Sequence, residues 1–374
     1  VDQCHQAGIG VILDFVPVHF AVNDYALAEY DGTALYEYPN MAVGRNEWGS
    51  CNFMHSRGEV CSFLQSSAYY WLREFHFDGL RMDAVGNLIY WQGDANRGEN
   101  LAALKFIRTM NQGLKERVPE CLLFAEDSTP YQGVTKAVWE GGLGFDYKWD
   151  LGWMHDTLSY FQADANERRE KYHKLTFSMM YYYNERYILP LSHDEVVHGK
   201  ATIAQKMNGG YDGKFPQARA FYMYMYAHPG AKLNFMGNEL AQLKEWCEKD
   251  ELDWILLKFP IHEAFHKFMA DLNKCYLTNN AFYQRDIRQD GFEWVDCHQE
   301  QKCMYLFERI SGDQKILAEK LNISPHQLSF VNNSNAGEGL IFYGNVIIPF
   351  SDKYPTDTKT YAIMSSKPEE MQTK

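Results

Sequence analysis

Residues 77–85 read FDGLRMDAV, a short apolar run that carries an arginine and an aspartate two positions apart. Before it, Leu64, Ala68, Trp71, Leu72 and Phe75 recur three or four apart, and after it Leu101, Leu104, Ile107, Met110 and Leu114 do the same. Each set makes one apolar stripe on a helix, for which core packing is the expected role. FDGLRMDAV is therefore read as a strand between two helices, and the same grammar extends outward. Further strands are expected at GVILDFV (10–16), CLLFAE (121–126), FDYKWD (145–150), YILPLS (187–192) and KLNFMG (232–237). Their continuous apolar character suits strands covered on both faces by crossover helices. A third helix runs through Ala218, Phe221, Tyr222 and Met225. It should stop at His228, because Pro229 disfavours helical geometry before it and Gly230 suits the turn. The alternation predicts an α/β protein with a parallel sheet, either open and doubly wound or closed as a (β/α)8 TIM barrel. Periodicity does not choose between these.

From about Gln284 the pattern changes to short segments, FEWVDC, CMYLFERI and NVIIPF, separated by turn residues. These predict a small antiparallel domain, although ILAEKLNISPHQLSF between them reads partly helical. With 374 residues, 46% of them hydrophobic, the chain can bury a barrel-sized core and a smaller one. A formal net charge of −13 repels polyanions, so no nucleic-acid partner is expected. The longest apolar runs, such as AFYMYMYA at 220–227, fall short of the roughly 20 residues a membrane helix needs, and no membrane partner is expected. VDQCHQAGIG at the start lacks the basic and small-residue features of a secretion signal. Eight cysteines without a CxxC pair or zinc spacing are read as reduced thiols.

The chemistry is suggested by position. Asp14, Asp83, Glu126 and the pair His193-Asp194 each fall at the C-terminal end of an expected strand, where barrel enzymes place their catalytic groups. Any one of these acids taken singly could be a helix cap or a solvated loop charge. Arg81 and Asp83 leave the same face of one strand, so the guanidinium favours an ionised, nucleophilic carboxylate. Glu126 emerges from an apolar run, where desolvation favours the protonated form of a general acid. Such a pair serves glycosidic cleavage, with Asp194 as a third carboxylate near developing positive charge. His193 and His19 can donate hydrogen bonds to sugar hydroxyls, and Trp153, read as exposed, could stack on a sugar ring.

DFVPVHF, GLRMDAV, FAEDST and LPLSHDEVVHGK together resemble, in order, the four conserved regions of the α-amylase superfamily. AEYDGTALYEY, GGLGFDYKWDLGWMHDTL, SHDEVVHGK and FMGNELAQ are more similar to bacterial glycogen branching enzymes than to amylases, and this similarity runs from residue 1 to about residue 310. The resemblance implies that Asp83 is the nucleophile, Glu126 the general acid/base and Asp194 the transition-state stabiliser. Asp14, His19, Arg81 and His193 would bind the sugar at the cleavage point. It implies a (β/α)8 barrel over residues 1–280, with its first two strands absent, and a C-terminal β-sandwich over 281–374. The missing strands would leave two apolar edges open. The implied activity cleaves an α-1,4-glucan such as amylose or glycogen and passes the chain to a 6-hydroxyl, making an α-1,6 branch. No cofactor is implied, and no metal either, because Val18 stands where amylases commonly place a calcium-binding Asn. A cytoplasmic monomer is expected. The alternatives are an α-amylase-like hydrolase and a truncated chain that binds glucan without turning it over.

Overall fold

The computed structural model describes residues 1–312, 323–324, 327, 338–343 and 346–351. Two compact units divide the chain, Val1–Arg309 and Ile310–Lys374.

All six expected strands form in the first unit: β1 (Ile12–Phe15), β2 (Gly79–Met82), β3 (Leu122–Ala125), β4 (Tyr147–Trp149), β5 (Tyr187–Leu191) and β6 (Ala231–Asn234). They make one sheet in sequential order, and every neighbouring pair is parallel. A doubly wound sheet reverses its strand order at a switch point, and this sheet has no reversal. The arrangement is the arc of a (β/α) barrel, open between β1 and β6. Gly79 allows β2 and β3 to approach: a Cβ there would lie 2.3 Å from the Leu122 carbonyl oxygen.

Five long helices accompany the strands: α1 (Gly58–Glu74), α2 (Leu101–Arg117), α3 (Leu151–Gln162), α4 (Tyr211–Ala227) and α5 (Pro260–Thr278). Asn100 caps α2 through the Ala103 N–H at 3.2 Å, and Asp150 caps α3 through the Trp153 N–H at 2.8 Å. As expected, α4 stops at His228, which is extended before Pro229. Gly230 then turns at φ +117° against the Leu189 side chain.

Two apolar clusters fill the first unit. One joins Phe15, Leu80, Met82 and Leu123 to the inner faces of α1 and α2, and the other joins Trp153, Leu189, Leu191, Phe221 and Phe265. The stripe readings need two corrections. Leu64, Ala68 and Leu72 are buried, but Phe75 lies at the exposed end of α1, its ring tilted against Trp71 at 4.7 Å. Leu101, the first residue of α2, is exposed because its turn projects beyond the sheet contact made by Leu104 and Ile107.

Of the region expected to be a sandwich, the structure describes two antiparallel pairs. β7 (Phe292–Gln299) pairs with β8 (Met304–Arg309) inside the first unit, and β9 (Glu338–Tyr343) pairs with β10 (Val346–Ser351) in the second. Most of ILAEKLNISPHQLSF lies outside the described residues.

Candidate active site

The sheet register assembles the site. Asp14 on β1 pairs with Arg81 on β2, and Met82 pairs with Ala125 on β3, so Asp83 and Glu126 emerge side by side just past the strand ends. Residues 67 and 45 positions from Arg81 are thereby brought to its guanidinium. Arg81 Nη1 donates to Asp14 Oδ1 at 2.7 Å and lies 3.0 Å from Asp83 Oδ1, while Nη2 donates to Glu126 Oε2 at 2.8 Å. The back of the same guanidinium rests 4.5 Å from the centre of the Trp149 ring at the end of β4. Burial opposes the charge of Arg81, yet Glu126, Asp14 and Asp83 outweigh it and raise its pKa above the ordinary value.

Glu126 is held twice, by Arg81 and by the Ala84 N–H at 3.0 Å. Ala84 adopts φ +46°, a left-handed conformation uncommon for a residue with a side chain, and this turn aims its N–H at Glu126 immediately after Asp83. Burial pushes the Glu126 carboxyl up to about 7. Arg81 and the Ala84 N–H pull against that rise, while the charge of Asp83 and a hydrogen bond with it add to it. Asp83 and Glu126 thus share the Arg81 guanidinium, one at 3.0 Å from Nη1 and the other at 2.8 Å from Nη2. Arg81 draws the two together by gripping both.

His19 is mostly buried, with Nε2 4.0 Å from Asp83 Oδ2. Burial lowers its pKa against the pull of Asp83, which favours a neutral imidazole. Beyond Asp83 and Glu126 opens a cleft of about 580 Å³, whose walls include His19, Trp48, Asn87, Gln92, Thr129 and Asp194. Asp194 follows β5 on a short turn and lies 3.3 Å from His193 Nε2. His193 sits between Phe235 and Trp246, each 6.0 Å away, and is not part of the cleft wall.

The structure therefore gathers Asp14, His19, Arg81, Asp83 and Glu126 into one contact network. Asp194 reaches the same cleft without touching that network's carboxylates, and His193 joins through Asp194 alone. Trp153 is a correction: it is 1% exposed, inside α3, with its ring stacked 6.4 Å from Tyr224. A side chain enclosed in the core offers no face to a sugar. The exposed indole of the cleft is Trp48, which sequence reasoning did not single out. Nor did it single out Trp149 or the Ala84 N–H. The one available signal for Ala84 was its place directly after Asp83.

Behind the site, Lys148 on β4 forms a buried ion pair with Asp127 at 2.8 Å and donates to the Thr129 carbonyl at 3.0 Å. Asp127 also accepts from the Thr129 N–H and hydroxyl, which fixes the segment leaving Glu126. Asp150, after β4, accepts from Tyr181 Oη at 2.8 Å, and burial raises its carboxyl to about 6.

An arc of parallel β/α units with acidic residues at its strand ends defines the (β/α)-barrel class of folds. Among solved structures, the type I pullulanase of Bacillus subtilis 168, complexed with maltose, superposes with a TM-score of 0.57 at 17% identity, covering 79% of this chain and 44% of that one. An Anoxybacillus α-amylase does so with a TM-score of 0.53 at 16% identity, covering 83% and 64%. At these identities the likeness concerns the fold alone. No family model matches the chain. Curated sequences are far nearer. The 1,4-alpha-glucan branching enzyme of Marinobacter nauticus is 46% identical over 323 residues, 83% of this chain and 51% of that protein. Those of Nitrosomonas europaea and Geobacillus stearothermophilus are 45% and 44% identical, covering 87% and 83% of this chain but 46% and 48% of theirs. Over the residues it shares with them, the chain belongs to the 1,4-alpha-glucan branching enzyme family. It spans about half the length of the curated relatives it matches.

Proposed function

We propose that this chain carries the catalytic centre of a retaining glucan-branching transferase acting on α-1,4-glucan such as amylose or glycogen. In the first step Asp83 attacks the anomeric carbon, a carboxylate–carbon bond forms and the glycosidic C–O bond breaks. The Glu126 proton passes to the departing oxygen. In the second step a 6-hydroxyl of another chain attacks the same carbon and gives its proton to Glu126, and the bond to Asp83 breaks. Asp194 lines the same cleft, where a carboxylate favours the positive charge that develops on the sugar. Asp14, His19 and His193 are assigned to sugar hydroxyls. Arg81, whose terminal nitrogens already serve three carboxylates, positions the reacting acids.

The observation that carries this reading is the arginine-bridged pair with unequal tasks. Glu126 sits near 7, so at neutral pH it can both give and take a proton, as the two steps require. The family of the curated relatives favours a sugar hydroxyl over water as acceptor. All eight cysteines are unpaired, which supports a reducing, cytoplasmic setting. The charge of −13 supports the absence of a nucleic-acid partner.

The test is incubation with amylose, following iodine-complex absorbance, reducing ends and α-1,6 linkages together. Branching predicts falling absorbance and new α-1,6 linkages with little net gain of reducing ends. Net reducing ends without branches would make the protein a hydrolase, and bound glucan with neither product would leave only binding. Asp83→Asn should abolish turnover and Glu126→Gln should remove leaving-group protonation; normal turnover in either would reject the assigned roles.

A further inference from the structure

Trp48 is large, apolar and 55% exposed, and it faces the cleft. Its backbone is fixed. Asn46 is buried, and its Oδ1 accepts from the Trp48 N–H at 3.2 Å and the Ser50 N–H at 2.9 Å. The Asn46 N–H reaches the Ser50 carbonyl at 3.1 Å, and Gly49 supplies the left-handed φ of +78° that closes the turn. The turn is also tied to the catalytic wall. Cys51 and Asn52, which follow it, pair antiparallel with Phe20 and His19. This pairing brings Trp48 beside His19, with ring centroids 5.4 Å apart, and His19 lies 4.0 Å from Asp83. A half-exposed indole on a pinned turn, packed on His19, offers a rigid apolar face for the C–H face of a pyranose.

The line Asp83–His19–Trp48 also sets a direction. Glu126 protonates the departing oxygen, so the departing chain lies on the Glu126 side, and the unit captured by Asp83 lies on the other. Arg81 serves both acids, whereas His19 is in contact range of Asp83 and the Ala84 N–H holds Glu126. We propose that Trp48 is the stacking platform for the donor segment of the α-glucan, the part that becomes joined to Asp83. This rests on the reading of Asp83 as nucleophile and Glu126 as acid.

Trp48→Ala and Trp48→Phe in the full chain test it, with maltoheptaose affinity measured by calorimetry and products from amylose measured as above. The Ala variant should bind maltoheptaose about five- to tenfold more weakly, the usual worth of one aromatic stacking contact, and Phe should recover most of the loss. The lengths of transferred chains should shift, while reducing ends released per α-1,6 linkage stay constant, because the platform does not touch the acceptor. Unchanged affinity in the Ala variant overturns the platform. Weaker affinity with unshifted chain lengths, and a ratio that moves toward reducing ends, overturns the donor assignment and places Trp48 at the acceptor. An unaltered chain that binds maltoheptaose but forms no linkages overturns the branching reading, while the affinities still decide the platform. An unaltered chain that does not bind overturns both. Thermal melting separates misfolding from lost contact, and the Phe variant, which keeps an aromatic ring, carries the test if Ala does not fold.

Discussion

Replacing Glu126 by Gln should stabilise the protein above neutral pH, although it removes the proposed acid. In the folded chain the carboxyl is raised from its ordinary value near 4.5 to about 7, with burial as the largest cause. Between these values the folded state binds a proton that the unfolded state releases, so stability falls as pH rises from about 4.5 through about 7 and is level above that. At about 1.36 kcal/mol per tenfold change, the full loss is roughly 3 kcal/mol. Gln mimics the protonated acid, keeps its size and escapes the penalty. The variant should match the unaltered protein at pH 4.5 and below, and exceed it by up to roughly 3 kcal/mol at pH 8. Urea unfolding of both proteins at about pH 4.5, 6 and 8 measures this as a widening gap in midpoint at constant slope. A variant equally or less stable at pH 8 would refute the reasoning. It would mean that Arg81 and the Ala84 N–H hold Glu126 ionised against burial.

Other consequences concern rate, support and edges. Because the first step needs protonated Glu126, kcat/KM should fall about tenfold per pH unit above about 7, and a flat profile between about pH 6 and 9 would exclude Glu126 as the acid. Lys148→Met leaves Asp127 buried without its cation and should cost roughly 3 to 5 kcal/mol in urea unfolding; a loss below about 1 kcal/mol would show that the pair does not hold this segment. Ile12 on β1 is exposed, as are Ile9 and Val16 on either side of the strand, and among the described residues β1 and β6 are the two unpaired edges of the sheet. The chain by itself should therefore associate in light scattering, and a monomeric, cooperatively unfolding sample would contradict that expectation.

The six strands and the stop of α4 were legible because their signals are local. An apolar run between turn residues, or a proline after a helical stripe, acts on neighbours in sequence. The candidate acids were legible for the same reason, since each sits at the end of such a run. The surfaces were not. Phe75 and Leu101 match the spacing of their helical stripes but lie at helix ends beyond the core, and spacing is blind to where a contact stops. Trp153 and Trp48 are the same residue type, each beside a glycine, and only the packed chain encloses one ring and leaves the other open to the cleft.

Sequence alone thus determined the alternation of strands and helices, the acids at strand ends and, through resemblance, the family. Tertiary structure decided that strand order runs without reversal, that one arginine grips Asp14, Asp83 and Glu126, and that Glu126 is lifted toward neutrality. The reason is physical. Propensity and periodicity act over a few residues, whereas sheet register, burial and charge depend on groups that are 45 or 67 positions apart until the sheet brings them together.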